Sequence, residues 1–268
     1  MKISAVIPAY KDPYVEPTVQ SLLDNSELGD QLEVIVVFDG PGSETPVPED
    51  PRVFPIYLGK NRGMRDAITI GVAAARGQYI LRADSHCLFA AGYDRILAKD
   101  LDENCPDQNW IMTATRYFLD PDKWEVMDKE PVNFEKLVIQ GNKKFSGQGW
   151  KSRDKELKDV QIAETMAMQG SMWIMPKQWW LDVIKRLRTD LYGQMYQDSH
   201  EMIFYTWKAG GKMMLDKNTW FAHKHRKFAR YRDEGTKENP SFRGQAGQFA
   251  LDIWRDYYEE EIKPKWGI

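Results

Sequence analysis

The sequence predicts an α/β protein: one domain built on a mostly parallel sheet with flanking helices. Three observations predict it. Short apolar runs of strand formers recur at 2–7, 33–38 and 78–83, the first two dense in β-branched residues. Helical stretches separate them, so residues 2–83 read strand, helix, strand, strand, helix, strand, the order of a doubly wound sheet. Asp12, Asp39 and Asp84 each follow the carboxyl end of such a run, which is where ligands bind in these sheets.

The elements follow in order. Residues 2–7 form a buried strand, broken by Pro8-Ala9-Tyr10-Lys11-Asp12-Pro13. Glu16-Pro17-Thr18 opens a helix with Val19, Leu22 and Leu23 on one face. A second strand at 33–38 ends in the turn cluster Asp39-Gly40-Pro41-Gly42. A weaker third strand at 53–58 precedes a helix that starts at Asn61-Arg62-Gly63 and runs to Arg76. Residues 78–83 form the next strand. Gly92-Tyr93-Asp94 precedes a helix, and 110–118 is strand-like. Residues 120–160 are polar, charged and broken by Pro121, Pro131, Gly141, Gly147 and Gly149, so an irregular insertion or lid is expected there. Residues 166–175 are strand-like around Gly170, and 179–187 and 199–209 are helical. Short strands follow at 212–215 and 219–222. A polar tail ends in a helix over 247–261. The organisation expected is a domain at 1–232 and a C-terminal helical tail at 233–268. Within the domain three parts are expected: 1–118, an irregular insertion or lid at 119–160, and 161–232.

Composition sets the outer limits. A net charge of −3 over 268 residues excludes a globally basic nucleic-acid binder while allowing a local basic patch. Ten Trp are enough to line a binding surface as well as a core. Cys87 and Cys105 lack zinc spacing and give no disulfide framework, so a reducing compartment is expected. No apolar run approaches the roughly 18 residues of a membrane span, and residues 1–8 do not read as a signal peptide. A cytoplasmic location follows as an expectation.

The chemistry concentrates at Gln78 to Cys87. A buried strand there ends in Asp84 and His86, two metal-ligand types two residues apart. Alternate side chains leaving a strand point the same way, so both can reach one cation. The tripeptide alone reads equally as a turn cap and a surface histidine. The order of the other motifs carries it further.

Val6-Ile7-Pro8-Ala9-Tyr10, the strand ending at Asp39, Asn61-Arg62-Gly63 and the strand ending at Asp84 together resemble a GT-A-fold glycosyltransferase. That fold is a Rossmann-like, mostly parallel sheet with flanking helices. Asp84-Ser85-His86 resembles the metal motif of the polypeptide N-acetylgalactosaminyltransferases. Gly63-Met64-Arg65 is similar to the Gly-Leu-Ile-Arg of that family, and Met168-Gln169-Gly170-Ser171-Met172-Trp173 to its Met-Ala-Gly-Gly-Leu-Phe. Asp198-Ser199-His200-Glu201, followed by Phe204, Trp207 and Gly210-Gly211, resembles its Glu-Asn-x-Glu helix. Ala222-His223-Lys224-His225-Arg226-Lys227 resembles its Gly-His-Val-Phe-Arg-Lys. Two departures stand out: Ser171 replaces a glycine and Asp198 a glutamate.

The resemblance implies a metal-dependent, retaining transfer of a sugar from a UDP-sugar to a hydroxyl. Asp84, His86 and His223 are the implied metal ligands, with His225 an open substitute for His223. One carboxylate and two imidazoles suit Mn²⁺ better than Mg²⁺, which stays the alternative. Pro8, Ala9 and Tyr10 are expected beside the base, with Asp39 on base or ribose or else a plain turn residue. Arg65 and Arg226 are expected on the nucleotide, or in solvent. Gly170 and Trp173 are expected at the donor sugar, with core packing the alternative for Trp173. Asp198 and Glu201, three apart at a helix start, are the candidate catalytic carboxylates, and Asp198 also reads as a cap.

The acceptor is less defined. Lys143-Lys144, Lys151-Ser152-Arg153 and the basic run from Arg226 to Arg232, with Phe228 and Tyr231 among it, have the basic and aromatic character of a nucleic-acid surface. Some phage enzymes of this fold glycosylate hydroxymethylated pyrimidines in DNA, and DNA of that kind is the acceptor expected, with a glycan or protein acceptor as the alternative. A non-catalytic sugar-nucleotide or nucleic-acid binding module is a competing reading. A nucleotidyltransferase is another, but it calls for a Gly-rich basic loop after the first strand, which Pro8-Ala9-Tyr10 is not.

Overall fold

The structure is a computed structural model and describes residues 1–225 and 242–268. Its centre is β1 (Ile3–Ala9), buried along almost its whole length. Parallel to β1 on one side lies β2 (Leu32–Phe38), then β3 (Val53–Tyr57). On the other side lies β4 (Tyr79–Ala83), also parallel. Both faces of β1, β2 and β4 are covered, which is why they read as continuous apolar runs. One face packs with α1 (Val15–Asp24) and the other with α2 (Met64–Ala74).

Beyond β4 the sheet turns mixed. After the short strand β5 (Cys87–Phe89) and helix α3 (Tyr93–Asn104) comes β6 (Trp110–Asp120). Strand β11 (Met172–Pro176) lies antiparallel between β4 and β6. Strand β12 (Lys212–His223) runs parallel to β6, and β10 (Ile162–Glu164) closes that edge. The strand order is β10-β12-β6-β11-β4-β1-β2-β3. The expectation of an α/β fold with a mostly parallel sheet and flanking helices holds.

Three local expectations change. The stretch at 120–160 is folded rather than irregular. It forms the short strand β7 (Glu125–Val126), the hairpin β8 (Glu135–Gln140) and β9 (Lys144–Gly149), and helix α4 (Lys151–Glu156). Gly141 and Asn142, at φ +56° and +54°, make the tight turn, closed by Lys143 N–H donating to the Gln140 carbonyl. Two consecutive positive φ values match the twist of paired strands. Leu137 and Phe145 anchor the hairpin in the core, fully buried. The strand expected at 166–175 is only Met172–Pro176, because Met166 and Ala167 donate instead to the Glu135 carbonyl on the hairpin. The two strands expected at 212–222 are one strand, β12, with a register shift between Asp216 and Trp220. There Asp216 Oδ1 accepts the Asn218 N–H at 2.8 Å and turns the chain locally.

After β11 come a helical turn α5 (Lys177–Trp179) with a π turn at Trp180–Ile184, then α6 (Thr189–Tyr192) and α7 (Asp198–Lys208). Helix α8 (Phe242–Tyr257) covers both the hairpin and α7. Trp254 stacks on Phe204 at 5.0 Å and donates to Tyr192 Oη, while Tyr258 Oη donates to the Leu137 carbonyl. The short α9 (Lys263–Trp266) follows. Among the described residues no helix is long and apolar enough to cross a membrane.

Candidate active site

The carboxyl ends of β1, β2, β4 and β12 open on one cavity of about 430 Å³, a size that suits a small organic ligand. Pro8, Ala9, Tyr10, Asp39, Asp84, His86 and His223 line it, joined by Met64, Gln169, Tyr196 and Lys224. Seven positions expected at the site therefore meet in one place.

Register explains why His223 reaches a motif 137 residues earlier. β5 leaves the Asp84-Ser85-His86 turn and pairs antiparallel with the end of β12, setting His223 opposite Cys87. Lys224 N–H donates to the His86 carbonyl and locks the two turns together. His223 Nε2 stands 3.0 Å from His86 Nε2 and 3.1 Å from Asp84 Oδ2. His86 Nε2 is 3.7 Å from the same carboxylate oxygen. One ligand atom from each residue thus falls within 4.8 Å of the others. Two imidazole nitrogens converging on a carboxylate oxygen make a set of lone pairs that fits one divalent cation.

The groups behind the triad fix its charge. Burial alone raises the Asp84 carboxyl, but the Arg82 guanidinium, then His223 and His86, hold it well below the usual carboxylate range. Arg82 is 1% exposed inside β4 and donates to Asp84 Oδ1 at 2.5 Å, leaving Oδ2 to face the histidines. Burial depresses His223, opposed by its bond to Asp84. On the other side, Asp12 accepts from His86 Nδ1 at 2.9 Å and Ser85 Oγ at 2.5 Å. His225 does not complete the triad. Its Nε2 accepts from the Arg116 guanidinium at 2.7 Å, and burial followed by the neighbouring cations drops it to about 4.

The rim of the cavity between β2 and α2 is built on Asp39. Its carboxylate accepts from Arg62 N–H at 2.7 Å, Gly63 N–H at 2.8 Å and Asn61 Nδ2 at 3.1 Å. Burial raises its pKa despite these bonds. Gly63 has φ +89°, and a Cβ there would sit 2.3 Å from Gln194 Cβ, so only glycine fits. Asp39 therefore lines the cavity while holding the loop before α2. At the other rim Lys224 donates to Tyr14 Oη at 2.7 Å, and Tyr14 stacks against Trp124.

Other expected residues lie elsewhere. Arg65 is fully buried beneath the cavity. It makes an ion pair with Glu201, donates to the Tyr196 carbonyl at 2.8 Å and lies over the Tyr192 ring. Neither Arg65 nor Glu201 lines the cavity, since each neutralises the other in the core. Trp173 is fully buried and stacks on Trp180 at 5.8 Å, so it packs the core rather than bordering a sugar. Gly170 stands beside Asp198, where a Cβ would come 3.2 Å from Oδ2. Asp198 opens α7 at 7% exposure, and that oxygen has no hydrogen-bond partner among the described residues. Arg226 lies outside the described residues.

Sequence reading passed over Arg82 and gave Asp12 no role beyond its strand end. The signal for Arg82 was a cation inside a buried apolar run, which needs an anion. The signal for Asp12 was its level with Asp39 and Asp84.

The model of glycosyl transferase family 2 matches residues 4–183, most of the chain, including nearly all of β1 and all of β2 and β4. The chain belongs to glycosyl transferase family 2. Among solved structures its fold is similar to GalNAc-T7 with UDP, GalNAc and Mn²⁺, at TM-score 0.74 and 15% identity over 98% of this chain. The family 2 chain spans about half of that protein, 50%. It is also similar to S. aureus TarS 1-349, at TM-score 0.55 and 12% identity, covering 99% of this chain and 78% of that one. The complex of TarS with UDP-GlcNAc gives TM-score 0.59 at 11% identity, over 99% and 77%. Comparison with curated protein sequences gives no match.

Proposed function

We propose that this family 2 chain transfers a sugar from a UDP-sugar to an acceptor hydroxyl, depends on Mn²⁺ and retains anomeric configuration. One observation carries the reading: Asp84 Oδ2, His86 Nε2 and His223 Nε2 converge at the floor of the cavity that ends β1, β2 and β4. In the transfer the anomeric C–O bond to the diphosphate breaks, the acceptor oxygen forms the new bond, and the acceptor proton leaves with the departing UDP or solvent. A cation on the triad would offset charge on the departing diphosphate. Pro8, Ala9 and Tyr10 wall the base, and Asp39 sets the loop that completes the nucleotide side. Asp198, whose Oδ2 has no hydrogen-bond partner among the described residues and stands beside Gly170, orients the donor sugar. Glu201 supports that helix through Arg65 rather than touching substrate. Retention rests on the resemblance of the Asp-Ser-His motif.

For the acceptor, hydroxymethylated pyrimidine in DNA is the first to test. Part of the basic surface that suggested it serves the fold instead: Arg153 donates to the Glu164 carbonyl and lies against Trp150 and Trp266. Lys143 and Lys144 sit on the hairpin, and the run from Arg226 to Arg232 lies outside the described residues.

The test is release of UDP from a panel of UDP-sugars with Mn²⁺, Mg²⁺ or EDTA, alone and with hydroxymethylated DNA, glycan or protein acceptors. Product stereochemistry is read by NMR. Mn²⁺-stimulated UDP release from one sugar is expected. Binding of a UDP-sugar with no turnover on any acceptor, unaffected by Asp84→Ala, would leave a binding module instead.

A further inference from the structure

Asp12 has a role that follows from its contacts. It belongs to the turn after β1, where Lys11 at φ +48° swings the chain and sends the Asp12 side chain inward. Asp12 is 0% exposed, yet it carries a carboxylate. A buried carboxylate is tolerated only where donors surround it, and three described residues are among those around Asp12. Tyr14 N–H donates to Oδ1 at 3.1 Å, Ser85 Oγ to Oδ2 at 2.5 Å, and His86 Nδ1 approaches Oδ2 at 2.9 Å. The first two fix the carboxylate and the third passes that order to the imidazole. A carboxylate only accepts, so the His86 proton sits on Nδ1. Nε2 is then left with its lone pair, facing His223 Nε2 and Asp84 Oδ2.

We infer that Asp12 is a positioning residue for the metal centre: it sets the tautomer and ring orientation of His86 so that Nε2 is presented to a divalent cation. This rests on the metal-dependent reading above. It adds a fourth side chain, from the first turn of the chain, to a site otherwise built from the ends of β4 and β12. The arrangement is a carboxylate–imidazole–metal relay, in which the outer carboxylate orients the ring and raises its basicity as a ligand. It also couples β1 to the metal, since the same turn follows the cavity wall Pro8, Ala9 and Tyr10. Ser85 serves the same end by clamping the carboxylate from within the metal motif.

The test uses the full chain and Mn²⁺ itself. Free Mn²⁺ is measured by EPR during titration of the unaltered chain, Asp12→Asn and Asp12→Ala. In the metal-free protein, the His86 tautomer is read from ¹⁵N–¹H long-range correlation spectra. Asp12→Asn is expected to weaken Mn²⁺ binding roughly 10–100-fold. It should also move the His86 proton off a pure Nδ1–H tautomer, because an amide can donate as well as accept. Metal-free melting of Asp12→Asn should stay close to that of the unaltered chain, separating positioning from folding. If Asp12→Ala does not fold, the asparagine variant and its tautomer still decide. An Mn²⁺ affinity within twofold of the unaltered chain, or an unchanged Nδ1–H tautomer in Asp12→Asn, overturns the inference. If the unaltered chain itself binds no Mn²⁺, the metal-dependent reading fails, a separate and recognisable outcome.

Discussion

Arg65 and Glu201 form an ion pair in which both side chains are completely buried. The pair joins the start of α2 to the first turn of α7, so it ties the α2 side of the sheet to the segment that carries Asp198. Removing one partner strands the other charge in the core, which costs about 3–5 kcal/mol. Glu201→Gln and Arg65→Met should each destabilise the chain on that scale in urea unfolding. The double variant Arg65→Met/Glu201→Leu should recover much of the loss, because no charge is then left unpaired. Strictly additive losses would show that the two charges do not depend on each other.

His223 and His225 are two apart but have different partners. His223 faces Asp84 and His86, whereas His225 is taken up by Arg116. His223→Ala should abolish measurable Mn²⁺ binding and lower UDP-sugar turnover by about 10²–10³-fold, the scale of losing charge stabilisation on a leaving group. His225→Ala should leave Mn²⁺ affinity near that of the unaltered chain. Equal losses in EPR titrations of the two variants would mean that His225 shares the metal.

Asp39 is the acceptor for two backbone N–H groups, on Arg62 and Gly63. Asp39→Ala leaves both without that partner, at about 1–3 kcal/mol for each group that stays dry. The loop before α2 should loosen, so UDP affinity by calorimetry should fall together with melting temperature. Asp39→Asn keeps one accepting oxygen and should fall between. A large loss of UDP affinity with no change in melting would instead make Asp39 a direct ligand contact and nothing more.

These cases show how far the sequence was legible. Residues 2–7, 33–38 and 78–83 announced the parallel core because strands covered on both faces read as mostly apolar runs rather than as alternation. Asp84, His86 and His223 were legible through the order of the motifs around them, since Asp-Ser-His alone also reads as a turn cap and a surface histidine. The hairpin over 135–149 was hidden by its charges and glycines, although Gly141-Asn142 between two short runs is itself a hairpin signal. Whether Arg65, Glu201 and Trp173 face the cavity or the core was not legible, for a different reason. A motif fixes which residues neighbour one another along the chain, but not whether a charged side chain faces the ligand or an opposite charge behind it. Only tertiary pairing, Arg65 with Glu201 and Trp173 with Trp180, decides that.

Asp216 sets a pH dependence that is independent of the active site. It is fully buried at the register shift in β12, and its Oδ2 has no hydrogen-bond partner among the described residues. Burial pushes its carboxyl up to about 7; the Asn218 N–H opposes this, and nearby Asp100 reinforces it. The unfolded chain releases this proton near 3.8. Between those values the folded state binds more protons than the unfolded one, so stability falls as pH rises through that window. Below it both states are protonated and nothing is lost; above it the loss is complete. Asp216→Asn stays neutral at every pH, and its oxygen can still accept the Asn218 N–H. Urea unfolding of the two proteins should therefore coincide near about pH 4, with the variant the more stable at about pH 8. The difference between the curves reports Asp216 together with its neighbour Asp100 and cancels the titrations elsewhere in the chain. Each kcal/mol gained should appear as about 2–4 °C in Tm for chains of this size class. A stability difference that does not change with pH would mean that Asp216 is ionised in the folded protein throughout, with its charge balanced by its surroundings rather than by a proton.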